Sequence, residues 1–310
     1  MPLSKKYGAY HTGFNTHSAF EFYESIRHQL PSAVFPKTSR SVSNLMEISD
    51  EIDVFVFDAF GVLNNGAAPI EGAVECFNTL SAMGKQIFIL TNSASSTAEN
   101  NALKFSKLGF HIPPENIISS RLAARNWISK NKLKHWGVIG REGTDLTEFT
   151  GETTLIGDDP EIYDAVDGFL LLATSQWNEH KQQFLDISLA ANPRPVVVAN
   201  PDVIAPLEDR FSTNPGFIGH RILARQNQNV DFFGKPFPAV FELIEARLSR
   251  SQPNSRIAMV GDTLHTDILG GATRGWSTVL VEKHGVYRGY DVEPFIAKSG
   301  IVPTYRVPSI

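Results

Sequence analysis

Four short stretches of this 310-residue chain close apolar runs with residues that can act on a phosphorylated group. In Phe57-Asp58-Ala59-Phe60-Gly61-Val62-Leu63, a carboxylate stands where the apolar run gives way to a Gly-containing turn. With the turn's backbone N–H groups facing the same space, such a carboxylate can attack phosphorus and form an acyl phosphate. Leu90-Thr91-Asn92-Ser93 offers the Thr91 hydroxyl and the Asn92 and Ser93 N–H groups as donors to phosphoryl oxygens. Gly234-Lys235-Pro236 offers positive charge, and Val260-Gly261-Asp262-Thr263-Leu264-His265-Thr266-Asp267 offers two more carboxylates. Charge and donors matter more than acid or base in a loose phosphoryl-transfer transition state. Hard cations take oxygen ligands, so Asp58 and Asp262 are the expected metal ligands and Mg2+ the expected cofactor. Taken singly, each stretch has an ordinary reading as a turn cap, a helix N-cap or a surface lysine.

What makes them a set is the arrangement of elements that must carry them. Val54–Phe57 and Gln86–Leu90 are continuous apolar runs of the sort that form strands buried on both faces of a parallel sheet. Gly72–Met83, closed by Gly84, reads as the helix between them, making a right-handed crossover. Helices are also predicted over Ser95–Leu108 and Ile117–Asn131, and strands at Trp136–Ile139, Gly168–Leu172, Val196–Ala199, Arg256–Val260 and Thr278–Val281. This alternation is that of an α/β protein, in which strand ends converge on one crevice. The candidate residues lie on both sides of 132–227, so that block reads as an inserted domain within a core of 51–131 and 228–310. Residues 1–50 read as an N-terminal extension with one short helix near Phe20–Tyr23 and a Ser/Pro-rich linker over Pro31–Ser43.

Composition narrows the class. Hydrophobic residues at 42% and charged residues at 20% suit a globular chain. A net charge of -5 supplies no field for a phosphate polymer, so nucleic acid is not an expected partner. A lone cysteine, Cys76, cannot form an intramolecular disulfide, and no run approaches the ~20 apolar residues of a membrane span, so a cytoplasmic protein without a membrane partner is expected. The histidines lack zinc-ligand spacing. Trp127, Trp136, Trp177 and Trp276 read as packing residues, and Asp158-Asp159-Pro160 as a surface turn.

In order and context the four stretches resemble the signature motifs of the haloacid dehalogenase (HAD) superfamily. Ala199-Asn200-Pro201-Asp202 is similar to a hallmark of its class IIA branch, which includes nitrophenyl-, phosphoglycolate and nucleotide or sugar phosphatases. The resemblance covers roughly residues 50 to 290. It implies a Rossmann-like three-layer parallel-sheet core with an inserted α/β cap domain, and a magnesium-dependent phosphatase acting on a small phosphorylated metabolite. It further implies that Asp58 is the nucleophile and the Phe60 carbonyl a metal ligand, with Asp267 orienting a metal-bound water. Lys235 and Thr91 would hold phosphoryl oxygens, with Asn92, Ser93, Asn200 and Asp202 on the phosphate and substrate side. Association of copies through the cap is a further expectation.

One position departs from the pattern. Phosphatases of the superfamily carry Asp-x-Asp, whose second Asp protonates the leaving oxygen, whereas this chain reads Asp58-Ala59-Phe60. General acid–base help is worth ~10²–10⁴-fold, so its loss should slow hydrolysis of alkyl phosphates most. Asn64, Asn65, His265 and Asp202 are candidates to replace it, and only Asp202 is a carboxyl. Asp58-Ala59-Phe60-Gly61 also resembles the dehalogenase members, which gives an alternative of metal-free attack on a halogenated carbon. Those enzymes insert a helical cap between the first two motifs, here Gly61 and Leu90. A phosphate-binding protein with little turnover is the other alternative.

Overall fold

The computed structural model describes residues 14–206, 211–226 and 229–310. Fourteen strands lie among them: β1 (Arg40–Ser41), β2 (Val54–Phe57), β3 (Gln86–Thr91), β4 (Ile117–Ser119), β5 (His135–Ile139), β6 (Glu152–Leu155), β7 (Gly168–Leu171), β8 (Val196–Val198), β9 (Ile204–Pro206), β10 (Phe211–Thr213), β11 (Val230–Phe232), β12 (Ile257–Gly261), β13 (Ser277–Val281) and β14 (Tyr305–Val307). A seven-stranded sheet runs in the order β1-β14-β13-β12-β2-β3-β4, with every pairing parallel. Alternate side chains of β2 serve opposite faces: Phe55 and Phe57 join one apolar cluster, Val54 and Val56 another. Both faces are therefore covered, which gives the three-layer α/β core and explains why its strands read as unbroken apolar runs.

From β2 the chain proceeds to β3 and β4 on one side, while β12, on the other side of β2, leads on to β13 and β14. The strand order thus reverses between β2 and β12, and ligands in open α/β sheets bind beyond the strand ends at such a point.

Two predicted elements differ. The helix expected from Ile117 begins with a strand, because Ile117 and Ile118 pair with Ile89 and Leu90. The Ser119 side chain then caps the helix Ser120–Ile128 by accepting the Leu122 N–H at 3.2 Å. A second, five-stranded parallel sheet has the order β11-β8-β7-β5-β6. Its edge strand β11 lies past the expected boundary at 227 and pairs with β8, Phe232 opposite Val198. Val230 and Phe232 pack there on an apolar cluster that includes Val198, Phe217 and Ile222, so this sheet extends to Phe232.

Residues 14–50 are built into the molecule. Asn15 and Ser18 form a reciprocal cap on the helix Thr16–Ser25. Its Phe22 and Tyr23 are buried in one cluster with Phe217 and Ile218 on one side and Leu264 and Ile268 on the other. β1 adds to the edge of the large sheet beside β14. Trp136, Trp177 and Trp276 are buried, Trp127 packs edge-on to Trp136, and Asp159 caps the helix Pro160–Ala165. Among the described residues, no helix is long and apolar enough to cross a membrane.

Candidate active site

Register decides which side chains meet. Phe57 pairs with Val260 on one side and Ile89 on the other, so Asp58, Thr91 and Asp262 leave three adjacent strands at the same sheet edge. The Asp58 N–H donates to the Val260 carbonyl at 2.8 Å, which fixes that residue against β12. Asp58, Asp262 and Asp267 are all buried, and each presents an oxygen within 4.8 Å of the others.

Each carboxylate is held by its own set of donors. Asp262 accepts the Thr263 hydroxyl at 2.8 Å through Oδ1 and the Val286 N–H at 2.9 Å through Oδ2. Gly285 allows this approach, since a Cβ there would lie 1.7 Å from Asp262 Oδ2 and its φ of +76° suits glycine. Asp267 sits in a wide π turn, Leu264–Ile268, that folds its side chain back over its own loop. Its Oδ2 accepts the N–H groups of Asp262 at 3.2 Å and Thr263 at 3.0 Å.

Lys235 enters from the other sheet. It follows β11 through Phe233-Gly234, where the sequence reading had placed its segment at the end of a core strand; the pairing of β11 with β8 is what redirects it. Its buried Nζ pairs with Asp58 Oδ1 and, at 2.8 Å, with Asp267 Oδ1, and donates to the Leu90 carbonyl at 3.1 Å. The Lys235-Pro236 peptide is cis.

The neighbouring strand β8 delivers Ala199-Asn200-Pro201-Asp202. Asn200 Oδ1 accepts the Asp202 N–H at 3.1 Å and so shapes this turn. Asn92 then ties the two sheets together. Its Nδ2 donates to Asp202 Oδ1 at 2.8 Å and to the Lys235 carbonyl at 3.0 Å, while its Oδ1 accepts the Lys235 N–H at 2.7 Å. Gly234, at φ +128°, permits this crossing, because a Cβ would stand 2.5 Å from Pro201 Cδ and 2.6 Å from Asn92 Oδ1. The Ser93 N–H, expected to face phosphate, is engaged by Thr91 Oγ1 at 3.1 Å, which leaves the Thr91 hydroxyl its own proton to donate.

A cavity of about 610 Å³ opens beside Asp58, Thr91, Asn200, Asp202, Arg141 and Thr174. Behind it, an inner pocket of about 50 Å³ is lined by Asp58, Asp262, Lys235, Asp202, Phe60 and Tyr23. Of the candidates to replace the missing acid, Asp202 is the one that shares these spaces with Asp58. Asn64 is spent on its own turn, donating to the Ala59 carbonyl at 3.2 Å and accepting the Gly66 N–H at 3.0 Å. Asn65 likewise accepts the Ala68 N–H at 3.2 Å. The His265 ring stacks on Tyr23 with centroids 4.9 Å apart and pairs with Glu24 at 2.6 Å. Tyr23 is the lining residue that sequence reasoning missed: the aromatic patch around it was visible, its partner some 240 positions away was not.

The electrostatics are those of a crowded acidic site. Burial pushes the Asp58 carboxyl up to about 7 against the pull of Lys235, and Asp267 adds to the rise. Burial, then Asp267 and Asp58, raises Asp262 well above the carboxylate range. Burial also takes Asp202 up to about 6. For Lys235, burial acts to lower the ammonium, but Asp267, Asp58 and Asp202 together hold it above its usual value. One lysine cannot neutralise three carboxylates, and an all-oxygen donor set suits a hard divalent cation.

A model described as haloacid dehalogenase-like hydrolase matches residues 55–151, and a second, HAD hydrolase-like, matches 232–309; together they span more than half of the chain. The chain belongs to the haloacid dehalogenase-like hydrolases. This HAD-like hydrolase is 28% identical over 263 residues to phosphoglycolate phosphatase 1A, chloroplastic, of Arabidopsis thaliana, covering 78% of this chain and 72% of the relative. It is 25% identical over 298 residues to 4-nitrophenylphosphatase of Schizosaccharomyces pombe, covering 88% and 97%. Its fold matches a possible sugar phosphatase of the HAD superfamily from Cytophaga hutchinsonii with a TM-score of 0.76 and 29% identity, over 87% of this chain and 98% of that one. The interval between Gly61 and Leu90 holds one helix, Ala73–Ala82, and no helical domain of the sort the dehalogenase reading requires.

Proposed function

We propose that this HAD-like hydrolase is a magnesium-dependent phosphatase that hydrolyses small phosphate monoesters through an aspartyl phosphate on Asp58. The observation that carries this reading is the buried grouping of Asp58 with Lys235, Asp262 and Asp267 at the edge where β2 and β12 meet. Asp58, Asp262 and the Phe60 carbonyl would hold the magnesium, which when bound supplies positive charge against the phosphoryl oxygens. Lys235 and the Thr91 hydroxyl hold the transferring group, and Lys235 aims Asp58 and opposes the burial that favours its protonated form. An Asp58 oxygen bonds to phosphorus as the bond to the leaving oxygen breaks, with the electron pair departing on that oxygen. Water then attacks phosphorus, returning the Asp58 carboxylate and releasing inorganic phosphate.

In this reading Asp202 supplies the proton that position 60 cannot. Its Oδ1 is occupied by Asn92, its carboxyl faces the cavity shared with Asp58, and a value near 6 suits a group that must hold a proton near neutrality. The five-stranded sheet acts as the cap, running from about residue 132 through β11, and its closure over the core excludes water and selects the ester. The names of the relatives, phosphatases of phosphoglycolate and nitrophenyl phosphate, agree with a small monoester as substrate.

The test is phosphate release from a panel of aryl and alkyl phosphate esters, with magnesium and with chelator, by the wild type and by Asp58→Asn. Release abolished by either treatment is expected. Binding of phosphate ligands without turnover, or turnover that survives Asp58→Asn, overturns the reading.

A further inference from the structure

The helix Thr16–Ser25 precedes the region matched by either family model, yet its Tyr23 lines the inner pocket. It touches both halves of the molecule through specific groups. Towards the seven-stranded core, Thr16 Oγ1 donates to the Val286 carbonyl at 2.8 Å, and the Val286 N–H in turn holds Asp262. Glu24 pairs with His265, which lies inside the Asp262–Asp267 loop, and the Tyr23 ring stacks on the same imidazole at an interplanar angle of 9°. Towards the five-stranded sheet, Phe22 packs on Phe217 with centroids 5.2 Å apart, and in the short turn Arg27–Gln29 that follows the helix, Gln29 Oε1 lies 2.7 Å from His220 Nδ1. Between the two, the Tyr23 hydroxyl accepts the N–H of Val203 at 3.0 Å.

Val203 is the residue after Asp202, and Tyr23, Asp202 and Asp58 line the same inner pocket. Within the second sheet's own half, the Asp202 and Val203 carbonyls accept the N–H groups of Gly216 at 3.1 Å and Asn214 at 2.9 Å; two further hydrogen bonds reach the turn from outside that half. Asn92 holds its carboxylate from the core strand, and Tyr23 holds its backbone from the N-terminal helix. Without the second, the Val203 N–H loses its partner, and the hydrogen-bonded hold on the turn from outside its own half rests on Asn92 alone.

We propose that Tyr23 is a positioning residue for the hydrolytic reaction, fixing the Asn200–Val203 turn so that Asp202 stands over Asp58 when the two sheets are together. This rests on the phosphatase reading with Asp202 as proton donor. The N-terminal helix is then a strap that belongs to the active site, and a chain cut back to the family core lacks a working part.

Tyr23→Phe isolates the hydroxyl, because the ring and its stack on His265 stay. For an alkyl phosphate ester it should lower kcat about tenfold with KM within twofold, since the lost contact acts on geometry at the reacting oxygen. Combined with Asp202→Asn it should add almost nothing, because both changes remove the same function; effects that multiply would show that Tyr23 does not act through Asp202. An unchanged kcat in Tyr23→Phe also overturns the proposal. Hydrogen exchange gives a readout that needs no turnover. The Val203 amide should exchange faster in Tyr23→Phe while β2, β3 and β12 stay protected, and equal exchange in both proteins refutes the tether. If the wild type hydrolyses no ester, the phosphatase reading fails by itself, and the exchange result still decides whether the strap exists.

Discussion

Asn92 and Asp202 meet across 2.8 Å, one at the end of the core strand β3 and the other in the turn after β8 of the second sheet. The same Asn92 side chain also binds the N–H and C=O of Lys235, which follows β11. One amide therefore sets the position of the proposed acid and of the cation beside the proposed nucleophile.

Replacing that amide should be costly in a way that burial predicts. In Asn92→Ala the Lys235 N–H and C=O lose their partner in a dry place, and each unsatisfied buried group costs about 1–3 kcal/mol. A loss of about 3 kcal/mol is expected from urea midpoints, along with a fall in kcat that exceeds any rise in KM. A variant as stable as the wild type would mean that water replaces the side chain.

Cation binding should be visible without any substrate. The acidic cluster is short of positive charge, so magnesium should raise Tm by a few degrees at ~100 times its dissociation constant, corresponding to ~2.7 kcal/mol. Asp262→Asn should lose that rise. In chelator the same variant should be at least as stable as the wild type, because burial together with Asp267 and Asp58 makes a charged Asp262 unfavourable. A variant that is less stable in chelator, or that keeps the magnesium shift, contradicts the assignment of Asp262 as ligand.

The residues legible in the sequence are those whose positions depend on one strand. Asp58, Thr91 and Asp262 end apolar runs that are buried on both faces, and a run of that kind announces both the strand and its exit. The Lys235 motif is legible but its sheet is not, since Val230-Asp231-Phe232 is short and interrupted by a charge, and gains its place only by pairing with β8. At Ile117-Ile118 the long helical pattern that follows masks a short edge strand. Tyr23 lay beyond reach: its role depends on contacts with Val203 and His265, and no local period encodes pairings so distant in the chain.

The joint between the N-terminal segment and the second sheet should make stability fall with acid. His220 is buried, its ring stacks on Phe232 and its Nδ1 meets Gln29; burial, with His28 nearby, lowers its value from 6.5 to about 3. Below 6.5 the unfolded chain takes up a proton that the folded chain refuses, so this contribution is present above 6.5 and is lost as the pH falls towards 3. Between pH 6 and pH 4 it should remove about 2.5 kcal/mol, and His220→Phe should flatten that part of a Tm-against-pH curve. Parallel curves for the two proteins would show that another group carries the acid sensitivity.

Phe60 offers the most direct check on how the chain manages without a second aspartate. Like Asp202, it lines both the inner pocket and the larger cavity, which makes it the place to reintroduce a carboxyl. Phe60→Asp should raise kcat for alkyl phosphates, whose leaving oxygens need a proton, and change it little for nitrophenyl phosphate, whose leaving group departs as a stable anion. If Asp202 already performs that task, the gain should be modest, under about tenfold in the wild-type background. In an Asp202→Asn background it should grow towards the ~10²-fold typical of general acid catalysis, because the new carboxyl then restores a function that has been removed. Equal gains in both backgrounds, measured as phosphate release from one alkyl and one aryl ester, would place the proton source elsewhere and detach Asp202 from the chemistry.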